Sequence, residues 1–152
     1  MSQNAADTYL RTKVLTATPE QLQMMLYDGA IRFAEQAGLA MTNKDFEKSN
    51  DLFSKAQRIV QEMICGLKRS VSPDLCDKLA GLYNFVHRRL VEANIRHDQA
   101  LLDEALQILR YQRETWQMLM QKIAQSKAAK MAMTLDMPAP DARMEASINF
   151  RG

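Results

Sequence analysis

Glycine and proline are scarce in this chain, whose 152 residues include 5 Gly and 4 Pro. An all-β protein with many tight turns uses more of both, so their scarcity favours helices. Charge of one sign is also scarce, because the formal net charge of +2 is too small to indicate nucleic-acid or membrane binding. No apolar run has the length of a membrane span, and the polar N-terminus does not resemble a signal peptide. We therefore expect a cytoplasmic, helical protein with no membrane span and no nucleic-acid partner.

Residues that carry catalysis or bind metals are few as well. Cys65 and Cys76 allow one disulfide on paper, but reduced thiols near apolar helix positions fit a cytosolic protein better. A di-metal site on a helical scaffold needs an acidic residue three positions before its histidines. His87 and His97 are preceded at that position by asparagines. Because no glycine-rich phosphate loop occurs either, we predict no enzyme activity, no cofactor and no metal site.

Four long segments carry apolar residues at steps of three and four, which is the spacing of one helix face. The second segment is the most regular, with Phe53, Val60 and Leu67 seven residues apart. Each segment follows a residue that favours a helix N-cap. The four predicted caps are Thr18 (with Gln21 completing a capping box), Asp45, Ser72 and Asp98. The helices are predicted to end near residues 41, 67, 97 and 125, with Asn43 in the left-handed conformation after the first.

Connections of about two to six residues join these helices, and short connections place consecutive helices side by side in opposite directions. The sequence therefore predicts an all-α fold, an antiparallel up-down-up-down four-helix bundle. We expect an N-terminal arm or cap over residues 1–17, the bundle over 18–126 and a flexible tail over 127–152. The tail carries Pro138 and Pro140 and has no sustained apolar stripe.

Surplus apolar residues on the first helix are the main functional signal. Residues 24–27, Met-Met-Leu-Tyr, point to every side of a helix, so one packing partner does not bury them all. Met24, Tyr27 and Ile31 form a second stripe beside the one that faces the core. The N-terminal arm carries four apolar residues that suit packing across one end or flank of the bundle. They are Tyr9, Leu10, Val14 and Leu15.

The residues alone leave more than one interpretation open. In the first interpretation, the surplus stripe binds amphipathic segments of another polypeptide. In the second, the arm and the neighbouring helices bury it. In the third, it forms the contact surface of a homodimer. Asn94, near the end of the third helix, either sets the register of the helices or hydrogen-bonds the backbone of a partner.

Two sequence blocks resemble the FliS family of bacterial flagellin export chaperones. The first block comprises residues 14–19, VLTATP, and residues 25–33, MLYDGAIRF. The second block has, in the order and spacing of the family, Leu82-Tyr83, Arg89-Leu90, Glu92-Ala93-Asn94, Asp98 and Trp116. The resemblance extends from Tyr9 to Gln125, and the tail from Lys127 onwards lies beyond it.

This resemblance implies a cytosolic four-helix bundle that binds the disordered C-terminal region of flagellin. Such a chaperone prevents premature polymerisation and aids delivery of flagellin to the flagellar type III export gate. The resemblance also implies that the four apolar residues of the arm are the movable cover, with Met24, Tyr27 and Ile31 in or near the binding surface beneath it. An export-gate component is a second candidate partner. A self-associating helical bundle without chaperone activity is the alternative function.

Overall fold

The computed structural model describes residues 2–67 and 73–136, and within these ranges it contains five α-helices and no strand. The helices are α1 (Ser2–Thr16), α2 (Pro19–Thr42), α3 (Phe46–Cys65), α4 (Pro73–Arg96) and α5 (Gln99–Asp136). The predicted all-α class is therefore confirmed. The predicted Ser72 cap and tail residues 137–152 lie outside the described residues. The chain divides into two compact units, Met1–Gln117 and Met118–Gly152.

Three predicted N-caps begin helices at the expected positions. At Thr18 the capping box is complete, because the Gln21 N–H donates to the Thr18 hydroxyl at 3.1 Å and the Thr18 N–H donates to the Gln21 side-chain oxygen at 3.0 Å. Asp45 and Asp98 accept backbone N–H groups from the first turns of α3 and α5. Local side-chain chemistry therefore sets the start of α2, α3 and α5.

Several helix boundaries differ from the sequence-based prediction. The arm is itself a helix, and α5 continues to Asp136 instead of ending near Gln125. The left-handed residue after α2 is Lys44, with φ 60°, whereas Asn43 has φ −80°. Asn43 tolerates the left-handed conformation but does not adopt it, because its N–H still donates to the Leu39 carbonyl, as in a continuing helix, and the chain turns one residue later.

A hydrophobic core is built by one face of each of the helices α2, α3, α4 and α5. The predicted seams of α3, α4 and α5 supply its buried residues, among them Phe53, Ala56, Val60, Tyr83, Val86, Leu90, Leu102, Ala105 and Leu109. Helix α2 contributes small residues, with Ala30, Ala34 and Ala37 completely buried. A Cβ atom on Gly38 would stand 2.7 Å from Leu102 Cδ2. Helices α2 and α5 therefore approach each other closely at this glycine.

Side-chain contacts show which helices are neighbours. The Tyr27 ring of α2 meets the Tyr83 ring of α4 edge to face, with centroids 6.4 Å apart. Arg89 of α4 lies 2.8 Å from the carboxylate of Glu104 on α5. Helix α4 thus contacts both α2 and α5.

Candidate partner-binding surface

Helix α1 exposes all four apolar residues that the sequence assigned to the arm. Every residue from 4 to 16 is exposed, with Tyr9 at 70% and Leu15 at 77%. Leu10 and Val14 are four residues apart and share one face of the helix. Three threonine hydroxyls of α1 donate to carbonyls four residues earlier, so its polar side chains bond within the helix. The four apolar side chains therefore do not cover another surface in this structure.

The junction between α1 and α2 is short. Only Ala17 and Thr18 separate the two helices. The Thr18 capping box holds the first turn of α2, and the Ala17 N–H donates to the Val14 carbonyl at 3.3 Å. Helix α1 is therefore attached directly to the N-terminal end of α2, the end that carries Met24.

Tyr27, which the sequence placed on the surplus apolar stripe, lies in the core. It is 2% exposed, and its hydroxyl is 2.5 Å from the Tyr83 hydroxyl. The Gln23 side-chain amide donates to that same hydroxyl at 3.4 Å. Burial, and then the hydrogen bond with Tyr27, raises the pKa of Tyr83 above its usual range. A tyrosine enters a core when its hydroxyl has a partner there, and this partner is 56 residues away in sequence.

The other residues of the predicted stripe are only partly accessible. Met24 and Ile31 are half-buried, and Ile31 packs against the core. Leu22, near the start of α2, is exposed. The accessible or partly accessible apolar residues at this end of α2 therefore include Leu22, Met24, Met25 and Ile31.

Asn94 bonds within the chain and lies away from this surface. Its side-chain amide donates to the Asn50 side-chain oxygen at 2.8 Å, which links α4 to α3. Tyr27 contacts α4 at Tyr83, so at 1.5 Å per residue Asn94 stands roughly 16 Å further along α4. The structure therefore does not bring Asn94 together with the apolar residues of α1 and α2.

Ion pairs between α2 and α5 are a feature that sequence reasoning missed. The carboxylate of Asp28 on α2 accepts a hydrogen bond from Arg113 of α5. Glu35 and Arg110 form a second pair at 2.7 Å, with both side chains about half exposed. The sequence shows acidic residues on α2 and basic residues on α5 at helical spacing. Predicting which of them pair also requires the relative position of the two helices, which are distant in sequence.

An additional apolar area near the C-terminal end of α2 was also not predicted. Leu39 and Ile95 are well exposed, and Phe46 stacks on His97 with ring centroids 4.0 Å apart. A groove of about 400 Å³ opens beside Leu39. It is lined by Gln36, Leu39, Ala40, Asn43, Asp45 and Lys48. Leu39 does not fall on the three- and four-residue spacing of the α2 residues that face the core. This position was its only indication in the sequence.

A metal-ligand cluster and a membrane-spanning helix are both absent from the described part of the chain. Within residues 2–67 and 73–136, no three His, Cys, Asp or Glu side chains are grouped as a metal site would require. No helix in these ranges is long and apolar enough to cross a membrane. Cys65 carries a free, exposed thiol, so the disulfide that the sequence allowed on paper is not formed.

Comparison with known proteins gives consistent matches. The sequence model of a family described as "Flagellar protein FliS" matches residues 1–123. The flagellar secretion chaperone FliS of Bacillus subtilis is 36% identical over 119 residues, which cover 78% of this chain and 88% of that protein. The protein of the same name from Salmonella typhimurium is 30% identical over 118 residues, covering 77% of this chain and 87% of that protein.

A solved structure matches the fold. It is described as the crystal structure of a flagellar chaperone from bacteria, and it superimposes with a TM-score of 0.66 over 80% of this chain and 99% of its own. Sequence identity to it is 18%. This comparison therefore supports a shared helical architecture.

Proposed function

This chain belongs to the FliS family of flagellar proteins, and on that premise we propose that it is a cytoplasmic export chaperone without catalytic activity. Its relatives in Bacillus subtilis and Salmonella typhimurium are named flagellar secretion chaperones. The family match includes α1, which carries four exposed large apolar residues, with Leu15 the most exposed of those in the matched region. An apolar helix presented to solvent on a folded body suits the binding of another polypeptide.

We propose that α2 to α5 form the antiparallel four-helix bundle that the sequence predicts. Contacts between α2 and α5 support opposite directions, because they pair Glu35 with Arg110 and the Glu20 carbonyl with the Trp116 indole N–H. Later residues of one helix thus meet earlier residues of the other. The connections at residues 43–45 and 97–98 are short, which favours antiparallel neighbours.

The cargo proposed for this chaperone is the disordered C-terminal region of flagellin. Binding that region masks a segment that flagellin needs for polymerisation, so subunits stay unassembled until they are delivered to the flagellar type III export gate. Ordering a disordered segment costs a few kcal/mol, which burial of apolar surface offsets. The exposed apolar side chains of α1 are the observation that carries this proposal.

The proposed binding surface is narrower than the sequence suggested. It comprises Tyr9, Leu10, Val14 and Leu15 of α1 together with the accessible parts of Met24 and Ile31. Tyr27 supports this surface from the core. Asn94 is a separate candidate contact, which a segment running along the bundle would meet about 16 Å further along α4.

Titration calorimetry with the C-terminal region of the flagellin of the same bacterium tests the proposal. We expect a one-to-one complex with a strongly negative heat-capacity change, which indicates burial of apolar surface. The double variant Leu10→Asp/Val14→Asp is expected to weaken binding by at least about tenfold, because two exposed apolar contacts become charged. Tyr111→Asp, which changes a more exposed residue on α5, is the control and is expected to bind normally.

Two outcomes would contradict this assignment. If the unchanged protein does not bind the flagellin segment, the chaperone proposal fails. If it binds but the double variant binds equally well, the surface lies elsewhere. Light scattering on the same samples tests the alternative, since a self-associating bundle would give a dimer mass that the Leu10→Asp/Val14→Asp variant loses.

A further inference from the structure

The C-terminal part of α5 carries an apolar stripe that is separate from the core. Ala124, Ala128, Met131 and Leu135 follow one another at steps of four, three and four residues, so they share one helix face. We name these four residues the distal seam. All four are exposed, with Met131 at 68% and Leu135 at 83%. This spacing is that of a helix that packs along another helix, and the alanines permit close approach.

Positive charge accompanies the distal seam. Lys127 directly precedes Ala128, and Lys130 directly precedes Met131. The sequence contains no Asp or Glu between Glu114 and Asp136, whereas it contains a third lysine there, Lys122. In the described residues of this segment, no ion pair neutralises any of these lysines.

The distal seam lies outside the part of the chain that the family shares. The family match ends at residue 123, one residue before the seam begins. Residues 124–135 are all exposed, so this length of α5 is formed without burying its apolar side chains. Most helical stability in proteins comes from packing of an apolar face, which this end of α5 lacks among the described residues. A packing partner would therefore stabilise this segment.

We propose that the distal seam is a docking site for an acidic amphipathic helix of a partner protein. The partner's apolar face would lie along Ala128, Met131 and Leu135, and its carboxylates would face Lys127 and Lys130. The methionine suits such a surface because it adapts to different apolar neighbours. This role goes beyond cargo binding by α1 and uses a different part of the chain.

Charge selects this occupant over the alternatives. Pairing of two copies through the same seam would bring four lysines, Lys127 and Lys130 of each copy, to it with no acidic residue between Glu114 and Asp136 to offset them. A membrane surface is less suited, because helices that lie on membranes separate one wide apolar face from a basic face. On this helix Met133 lies on a different side from Met131, and Lys127 is next to the seam. Apolar and basic residues are therefore not separated on two faces.

Fluorescence anisotropy with designed peptides tests the proposal on the full chain. The probe is a fluorescein-labelled amphipathic helix with Leu at heptad positions a and d and Glu at the flanking positions, and its matched control carries Lys in place of each Glu. We expect the acidic peptide to bind about tenfold more tightly at low salt. The preference is expected to shrink as salt is added.

Two variants locate the binding. Lys127→Glu/Lys130→Glu is expected to reverse the preference between the peptides, and Met131→Asp/Leu135→Asp is expected to abolish binding of both. Both variants should still bind flagellin as the unchanged chain does, which shows that they are folded. Absence of acidic-peptide binding, equal binding of the two peptides, or binding that survives both variants would overturn the proposal.

Two further assays address the other occupants. Light scattering that shows a dimer lost in Met131→Asp/Leu135→Asp would overturn the proposal in favour of a second copy of this chain. Co-sedimentation with phosphatidylglycerol vesicles, without binding of the acidic peptide, would overturn it in favour of a membrane surface. A monomer that binds the acidic peptide and not the vesicles supports it.

Discussion

A hydroxyl group that leaves water has to find a hydrogen-bond partner, and Tyr27 and Tyr83 provide one for each other. Each ring fills core volume while the two hydroxyls meet between α2 and α4. Ser49 shows the opposite case, because its hydroxyl is fully buried and has no hydrogen-bond partner among the described residues. A buried hydroxyl that has a hydrogen-bond partner therefore stabilises this core, whereas one that has none lowers its stability.

The raised pKa of Tyr83 predicts a stability that falls in alkaline solution. An unfolded tyrosine loses its proton near pH 10, whereas the buried Tyr83 keeps its proton at that pH. Above about pH 10 the unfolded chain therefore binds fewer protons than the folded chain, and the free energy of unfolding decreases as pH rises. Below about pH 9 both states hold the proton and this residue adds no pH dependence. Urea unfolding between pH 7.5 and 11 measures the effect, at most about 1.4 kcal/mol per pH unit.

Tyr83→Phe isolates the contribution of this residue. The variant should be less stable at neutral pH by about 1 kcal/mol, because Tyr27 loses its buried partner, and its alkaline slope should be shallower. Tyr111→Phe, at an exposed tyrosine, is expected to leave the slope unchanged. Equal slopes in Tyr83→Phe and the unchanged protein would contradict the assignment.

At the scale of the helix, α2 and α4 use glycine in different ways. Gly38 of α2 faces Leu102, which is completely buried, whereas a Cβ on Gly81 of α4 would meet nothing within 4 Å. Glycine is required where two helices approach closely, and it only lowers helix stability where it faces solvent.

Alanine substitution at these two glycines should have opposite effects. Gly38→Ala is expected to lower the free energy of unfolding by about 1–2 kcal/mol, because the new methyl group clashes with a side chain that has no room to move. Gly81→Ala is expected to raise it by about 0.5–1 kcal/mol through helix propensity. Urea denaturation of both variants at pH 7.5 provides the comparison. A stabilised Gly38→Ala would show that α2 and α5 do not pack as described.

The helices differ in how far the sequence predicts them. Periodic apolar residues and the caps at Thr18 and Asp45 are local signals, so α2 and α3 begin where expected. Helix α1 has a mixed composition with no periodic core face, and its helical state was not predicted. The core position of Tyr27 also escaped prediction, since it depends on Tyr83. Patterns within one helix are thus readable from sequence, whereas pairings between distant helices are not.

At the scale of the whole molecule, the chain combines a packed body with exposed helical segments. The core lies in the unit Met1–Gln117. Residues 4–16 and 121–135 are exposed throughout. Folding stability should therefore arise from the helices between these segments, which leaves both exposed segments available for partners.

Truncation tests this division. A chain that ends after Gln125 should change the free energy of unfolding by less than about 0.5 kcal/mol, because the residues described beyond that point bury little surface. Trp116→Ala in the full chain, which removes a half-buried ring and its hydrogen bond to the Glu20 carbonyl, should lower it by about 2 kcal/mol. Thermal and urea unfolding followed by circular dichroism measure both. A large loss of stability in the truncated chain would refute the division.

The two-residue junction at Ala17 and Thr18 has a consequence for the rate of cargo capture. Helix α1 contains 15 residues and is about 22 Å long, so a segment caught at its tip is tethered within that distance of the start of α2. One molecule confined to a hemisphere of about 22 Å radius has a local concentration on the order of tens of millimolar. A first weak encounter on α1 would therefore make every later contact with α2 an intramolecular step.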